Sequence, residues 1–365
     1  METYPIKQID LNKAKEMQFK LVDIIQTVFK GRELLEAGDY GVSIELGRPL
    51  RTAKVEEVIA KFFEAEDAVL VRGAGTGAIR MALISVLQPG STLLIHEAPI
   101  YPTTETLINE MGLKVLRIDM NDLRKFEEIK NVHIDAALVQ HSRQRMSDSY
   151  EVRDVIREIR KIKDIPIVVD DNYVVMKAPK IGVQLGADIS AFSMFKLLGP
   201  EGIGCVVGRK SFIDKIRKAN YSGGSQVQGP EAMDALRSLV YAPVSFAIQA
   251  EQCDIIARRL NNNEVDGIKK AYIANSQSRV VIVEFKDPIA KLVLKYAEEL
   301  GAVPYPVGSD SRYEIGAMFY RVSSSFIRDN PEIDKYAIRI NPMRAGAETV
   351  IRILKEAVSQ VYRGR

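Results

Sequence analysis

The sequence has little cysteine and little histidine, and it has no tryptophan. Its two cysteines, Cys205 and Cys253, are too few for a disulfide framework or a zinc knuckle. The three histidines, His96, His133 and His141, do not follow the spacing of metal ligands. We therefore expect no structural metal and no disulfide-stabilised fold.

Long apolar runs and an excess of one charge are missing as well. No stretch approaches the roughly 18 consecutive apolar residues that span a bilayer, and the N-terminal residues lack the apolar core of a signal peptide. The net charge is +3, from 51 Lys and Arg against 48 Asp and Glu, which is too small to indicate nucleic acid or an anionic membrane. We expect a cytoplasmic protein with neither kind of partner.

What is present is an alternation of short apolar runs with amphipathic stretches, which predicts strands separated by crossover helices. Because these runs are continuously apolar, they are typical of a mostly parallel sheet that helices cover on both faces. The predicted strands are Ala68–Val71, Thr92–Ile95, Lys114–Ile118, Ala136–Val139, Ile165–Val169, Ile189–Phe192 and Ile203–Val207.

From Tyr241 the pattern changes to an α+β unit, with a long helix, an alternating strand at Arg279–Phe285 and a final helix from Ala347. The predicted fold is α/β: a large domain with a mostly parallel seven-stranded sheet, a smaller C-terminal α+β domain and an N-terminal helical arm. The predicted bounds are 1–50 for the arm, 51–240 for the large domain and 241–365 for the small one.

A glycine-rich loop, RGAGTGAIR at residues 72–80, follows the first predicted strand. Glycines allow a sharp turn and a close approach of the backbone to a ligand, and the helix start that follows favours a phosphate. The loop also fits the G-x-G-x-x-G/A fingerprint, with Glu97 at the end of the next strand. At this point a dinucleotide site, another phosphate site and a plain turn are all open.

Two later strands end in residues that suit a different cofactor. Asp170 and Asp171 follow one apolar run, and Lys196 closely follows the next one. At the carboxyl edge of a parallel sheet, a desolvated amine is a nucleophile toward a carbonyl, and a buried acid can hold a proton on a heterocyclic nitrogen. Each residue alone suits a surface or a turn. Together with the phosphate loop they favour pyridoxal phosphate, since a nicotinamide needs neither the lysine nor the acid.

At these residues the chain resembles fold-type I pyridoxal-phosphate enzymes, the aspartate-aminotransferase-like superfamily, from about Tyr40 onward. Residues 223–239, GGSQVQGPEAMDALRSL, resemble the Cys/Met-metabolism branch, which includes cystathionine and methionine lyases. The sequence as a whole is similar to the YhfS-like group.

The resemblance implies a role for each residue of an S-x-x-K motif and of the glycine loop. Lys196 would form the Schiff base with pyridoxal 5′-phosphate. Ser193, three residues earlier, would bind the phosphate together with Gly75, Thr76 and Gly77.

Other site residues are implied in the same way. Asp170 would bond the pyridine nitrogen, Tyr173 the ring hydroxyl, and Tyr101 would stack on the ring, although a half-buried loop tyrosine is the plain alternative. Ser142 would touch the cofactor and His141 the substrate. Which residue of the His-Ser-Arg segment faces the cofactor stays open, because the usual N-P-x-G signature is missing.

Three arginines complete the implied site. Arg339 would clamp the substrate carboxylate, a task that suits a bidentate guanidinium, with a surface strand arginine as the alternative. Arg48 and Arg51 lie where relatives send residues into the neighbouring subunit's phosphate site, so the resemblance implies a homodimer or a dimer of dimers.

The implied activity is that of a pyridoxal-phosphate enzyme of amino-acid metabolism, with Lys196, Asp170 and Tyr101 as catalytic residues and a small amino acid as substrate. The stretch around Arg237 favours β- or γ-elimination, that is, a lyase. An aminotransferase, a racemase with His141 as second base and a cofactor-binding protein without catalysis remain alternatives. A dehydrogenase remains only if Lys196 lies outside the pocket.

Overall fold

The computed structural model describes residues 3–275, 279–323, 326–327 and 330–364. The chain forms two compact units, which we call the sheet unit (Asn12–Ser142 with Tyr150–Pro243) and the C-terminal unit (Met1–Leu11, Arg143–Ser149 and Val244–Arg365). Residues 12–50 of the predicted arm therefore belong to the sheet unit. The division between the units falls beside the predicted boundary at 240.

The strands of the sheet unit lie where the apolar runs predict them. They are β1 (Asp67–Arg72), β2 (Thr92–His96), β3 (Lys114–Ile118), β4 (Ala136–Gln140), β5 (Ile167–Asp170), β6 (Ile189–Ser193) and β7 (Ile203–Gly208). Within the described ranges they form a seven-stranded sheet in the order β1-β7-β6-β5-β4-β2-β3. Strand β7 is antiparallel to both of its neighbours and the other pairs are parallel. This sheet confirms the predicted fold class.

Helices cover the sheet, because its strands carry apolar side chains on both faces. The helices of the sheet unit are α1 (Leu11–Val28), α2 (Leu50–Phe62), α3 (Ala74–Val86), α4 (Pro102–Glu110), α5 (Val152–Ile162), α6 (Lys210–Ala219) and the start of α7 (Gly229–Asn261). Successive strand residues alternate between the two faces. Val168 of β5 packs in the cluster that contains α3, and we call that side the α3 face. Val169 packs in the cluster that contains α5, on the α5 face.

The C-terminal unit has an antiparallel sheet with helices packed on it. Its strands β8 (Ile268–Asn275), β9 (Arg279–Phe285), β10 (Met318–Arg321) and β11 (Ala337–Asn341) follow the order β10-β11-β9-β8. Helices α8 (Ala290–Glu299) and α10 (Ala347–Arg363) share a buried cluster with β9, and a single turn, α9 (Ile333–Tyr336), precedes β11. Among the described residues, none of the helices combines the length and apolar character needed to cross a membrane.

Candidate functional site

The glycine loop turns directly into α3. Gly73, with a φ of +96°, has the left-handed conformation that suits glycine. The N–H of Gly77 donates to the Gly73 carbonyl within the first helical turn. In the described part of the chain, the N–H groups of Gly75 and Thr76 have no acceptor, so they and the helix dipole are available to an anion. The hydroxyl oxygen of Thr76 lies 3.2 Å from that of Thr103, in the first turn of α4.

Two positions of the loop have no room for a side chain. A Cβ atom on Gly75 would lie 2.3 Å from Oδ1 of Asn172, and one on Gly77 would lie 2.0 Å from the carbonyl oxygen of Arg72. Both distances are far inside van der Waals contact. The loop therefore needs glycine at both positions in order to lie this close to its neighbours.

Asp170 is the last residue of β5, and its carboxylate is half-buried. Its Oδ1 accepts two hydrogen bonds from Asn172, one from the backbone N–H at 3.0 Å and one from Nδ2 at 2.8 Å. Burial raises the pKa of Asp170 to about 6. The hydrogen bonds from Asn172 and the positive charge of Lys196 oppose this rise, whereas the carboxylate of Asp171 adds to it.

Lys196 lies in a short 3₁₀ turn, Phe195–Leu197, directly after β6. Its backbone N–H is 3.4 Å from Oγ of the buried Ser193, and the backbone N–H of Ser193 donates in turn to Oδ1 of Asn172 at 3.0 Å. The side chain is half-buried, and Nζ lies 4.6 Å from the centroid of the Tyr173 ring, within range of a cation–π interaction. Tyr173 has a φ of +69°, a strained conformation that is typical of functional positions.

The pleat of the sheet separates the side chain of Asp170 from the pair formed by His141 and Asp171. Asp170 follows Val168 by two residues, so it lies on the α3 face, the face of the helix that the glycine loop starts. His141 and Asp171 lie on the α5 face, where Nδ1 of His141 is 2.6 Å from Oδ1 of Asp171. The other oxygen of Asp171 accepts the N–H of Gly182 at 2.9 Å. This placement does not support the substrate role of His141, which stays a prediction.

Three further residues were predicted to touch the cofactor or the substrate. Tyr101 caps the N-terminus of α4 and is partly exposed, and Ser142 is buried. Arg339 belongs to the C-terminal unit, where its guanidinium carbon lies 4.2 Å from the Tyr320 ring centroid and its Nε donates to the carbonyl of Arg321 at 2.6 Å. The stacking role of Tyr101, the cofactor contact of Ser142 and the carboxylate clamp of Arg339 stay predictions.

The two arginines assigned to a neighbouring subunit have carboxylate partners in their own chain. Nε of Arg48 lies 3.1 Å from the carboxylate of the buried Glu56. Arg51 pairs with Glu33 at 3.0 Å and also with Glu36. Their role in a second subunit stays a prediction.

Sequence reasoning missed Asn172 and Thr103, which touch four of the predicted residues between them. The signal for Asn172 was its place in Asp-Asp-Asn after a buried strand, since a side-chain amide there can donate and accept at once. The described residues contain no cluster of acidic, histidine or cysteine side chains that could hold a metal ion.

These groups fit pyridoxal phosphate. The unused N–H groups at the start of α3 suit its phosphate, the Asp170 carboxylate suits a protonated ring nitrogen, and the half-buried Lys196 suits its aldehyde. The glycine loop, Asp170, Ser193 and Lys196 all lie in the sheet unit.

Comparison with known proteins gives two family matches. Residues 49–236 match the model of the family described as Aminotransferase class-V, and residues 254–354 match that of the YhfS-like C-terminal domain. The protein YhfS of Escherichia coli (strain K12) is 48% identical over 362 residues, covering 99% of this chain and 100% of YhfS. A cysteine desulfurase of Wigglesworthia glossinidia brevipalpis is 25% identical, covering 47% of this chain and 46% of that protein.

Comparison with solved structures leads to the same family. The crystal structure of the pyridoxal-5′-phosphate dependent protein YhfS from Escherichia coli has a TM-score of 0.97 and covers 99% of this chain and 100% of that one. Cystathionine gamma synthase from Xanthomonas oryzae pv. oryzae, at 17% identity, has a TM-score of 0.68 with 86% of each chain covered, and this likeness shows the fold alone. The predicted fold class and cofactor are confirmed, and the dinucleotide alternative is left without support.

Proposed function

The chain belongs to the YhfS-like family of pyridoxal-phosphate-dependent proteins, and we propose on that basis that it is a lyase that removes a β or γ substituent from an amino acid. The observation that carries an activity on amino acids is the placement of Asp170 and Lys196 at the carboxyl ends of the neighbouring parallel strands β5 and β6. The preference for elimination rests on the resemblance of residues 223–239 to the Cys/Met-metabolism branch. It is in keeping with a matched relative that is named as a cysteine desulfurase.

When bound, pyridoxal phosphate supplies an aldehyde that condenses with amines and a ring that withdraws electrons from the Cα of the attached amino acid. Gly75 and Thr76 would bind the phosphate through their N–H groups, Asp170 would hold a proton on the ring nitrogen, and Lys196 would hold the aldehyde carbon in the resting protein. The Lys196 amine would also be the base for the Cα proton of the substrate.

Arg339 is our candidate for binding the substrate carboxylate, since a guanidinium pairs bidentately with a carboxylate. Removal of the Cα proton is common to elimination and transamination. The class-V aminotransferase match favours an aminotransferase as the second candidate. Release of the product amine as ammonia distinguishes the two reactions.

The cofactor attachment is tested with Lys196→Ala, using Lys161→Ala as the matched control because Lys161 is an exposed lysine of α5. We expect the visible absorption band of lysine-bound cofactor in the wild type and in the control, and its loss in Lys196→Ala. Borohydride reduction followed by mass spectrometry should place the cofactor on Lys196. Attachment to a different lysine would contradict the assignment.

The reaction is tested with a panel of amino acids, with and without a 2-oxo acid as amino acceptor. Formation of ammonia and a 2-oxo acid without the acceptor supports the lyase. Turnover that needs the acceptor and releases no ammonia indicates the aminotransferase instead. Absence of turnover across the panel, with the cofactor still bound, contradicts both and favours a protein that only binds the cofactor.

We also propose that the protein is a homodimer. A segment of the sheet unit, residues 35–46, exposes five large apolar side chains, namely Leu35, Tyr40, Val42, Ile44 and Leu46. Ile44 is fully exposed and Leu35 is 84% exposed. Several large apolar side chains exposed within one short segment are typical of an interface between proteins.

A further inference from the structure

Asn172 bonds to two different strand ends of the cofactor site at once. On one side, its backbone N–H and its Nδ2 both donate to Oδ1 of Asp170, at the end of β5. On the other side, its Oδ1 accepts the backbone N–H of Ser193, at the end of β6, at 3.0 Å. The same oxygen lies against the glycine loop, 2.3 Å from the position that a Cβ atom on Gly75 would take.

The chemistry of the partners settles the orientation of this amide. A backbone N–H can only donate, so the atom that faces Ser193 is the amide oxygen. An ionised carboxylate can only accept, so the atom that faces Asp170 is the amide nitrogen. An aspartate at position 172 would keep the bond to Ser193 and lose the side-chain donor to Asp170.

Both donors of Asn172 go to the same oxygen of Asp170. Among the described residues, the structure gives Oδ1 these two partners and gives Oδ2 none. Two charge-assisted bonds hold the carboxylate in one orientation on the α3 face and leave its second oxygen for another donor. A protonated ring nitrogen is a donor of the required kind.

We propose that Asn172 is a positioning residue of the cofactor site: its amide orients the Asp170 carboxylate toward the ring nitrogen of pyridoxal phosphate and ties that carboxylate to the backbone of Ser193. Asn172 acts on the cofactor through Asp170. The inference rests on the cofactor assignment within the proposed function, and it holds for a lyase and an aminotransferase alike.

The charges around Asp170 show why such a residue is needed. Burial and the carboxylate of Asp171 both raise the pKa of Asp170, whereas the ammonium of Lys196 and the two donors of Asn172 lower it. The ionised carboxylate is a stronger acceptor than the protonated carboxyl for the N–H of a protonated ring nitrogen, because it also carries the opposite charge. Loss of the Asn172 side-chain donor should therefore favour the protonated carboxyl and weaken the hold on the ring nitrogen.

The test compares two ligands, pyridoxal phosphate and its analogue in which carbon replaces the ring nitrogen. The cofactor is removed from the purified protein, and the dissociation constant of each ligand is measured for the wild type, Asn172→Asp and Asn172→Ser. Asn109→Asp is the matched control, because Asn109 is exposed near the end of α4. Asn172→Ser removes the amide donor without adding a charge. Its dissociation constants also take the place of those of Asn172→Asp if that variant does not fold.

We expect both Asn172 variants to bind pyridoxal phosphate about tenfold or more weakly, which is the value of one hydrogen bond to a charged group. The dissociation constant of the carbon analogue should change less than threefold, which is about the effect of an ordinary surface substitution. For Asn172→Ser, raising the pH should restore part of the lost affinity, because it ionises Asp170 again. Asn109→Asp should leave both dissociation constants unchanged.

Equal losses for the two ligands would overturn the inference, since a merely structural role weakens both alike. An unchanged affinity for pyridoxal phosphate would overturn it as well. Failure of the cofactor assignment itself looks different: the wild type would then bind pyridoxal phosphate no better than Lys196→Ala does.

Discussion

Replacing Asp170 by asparagine should stabilise the cofactor-free protein at neutral pH. The pKa of this carboxyl rises from an ordinary 3.8 to about 6 on folding, because the folded chain buries it. A carboxyl of this kind destabilises the folded chain at any pH where it is ionised in both states. Asparagine keeps the oxygen that accepts from Asn172 and removes the buried charge.

The magnitude follows from the size of the shift. A rise of about two pKa units corresponds to about 3 kcal/mol at pH 8, as an upper bound for a half-buried group. As the pH falls through 6, the folded wild type takes up the proton before the unfolded chain does, so its disadvantage shrinks. At pH 4.5 about 1 kcal/mol of this difference should remain, and well below 3.8 the two proteins should be equally stable.

The assay is urea unfolding of the cofactor-free proteins, followed by circular dichroism because the chain has no tryptophan. Asp164→Asn is the control, since Asp164 is exposed and its replacement should change the free energy of unfolding little at either pH. Adding pyridoxal phosphate should stabilise the wild type more than Asp170→Asn, because the cofactor binds the ionised carboxylate better. A lower stability of Asp170→Asn than of the wild type at pH 8, or a difference that does not shrink at pH 4.5, would show that the buried charge of Asp170 does not destabilise the folded chain.

Two further substitutions test the glycine loop and the exposed apolar segment. Gly75→Ala should weaken pyridoxal phosphate binding about tenfold, because its Cβ would overlap Asn172, whereas Gly223→Ala, with open space around it, should not. Equilibrium titration measures both, and equal affinities would contradict the close approach. Ile44→Asp should halve the mass found by light scattering, because it places a charge in the proposed dimer interface, whereas Val132→Asp should leave the mass unchanged. A monomeric wild type would exclude the dimer.

The amino-acid sequence alone was enough to predict the strands of the large sheet. Strands buried on both faces must be continuously apolar, so the runs that became β1 to β7 were visible without any knowledge of their neighbours. Asp170 and Lys196 directly follow such runs, and strand ends meet at one edge of a parallel sheet. Strand β8 was missed, because its lysines and small residues do not form an apolar run.

Only the tertiary structure decided which of these strand-end side chains meet. The pairing of Gln140 with Asp170 puts His141 beside Asp171, and the pleat places that pair on the opposite face from Asp170. The bonds from Asn172 likewise depend on the distance between the ends of β5 and β6. Sequence spacing determines where a strand ends, whereas register and pleat, which depend on residues far apart in the chain, determine what each side chain touches.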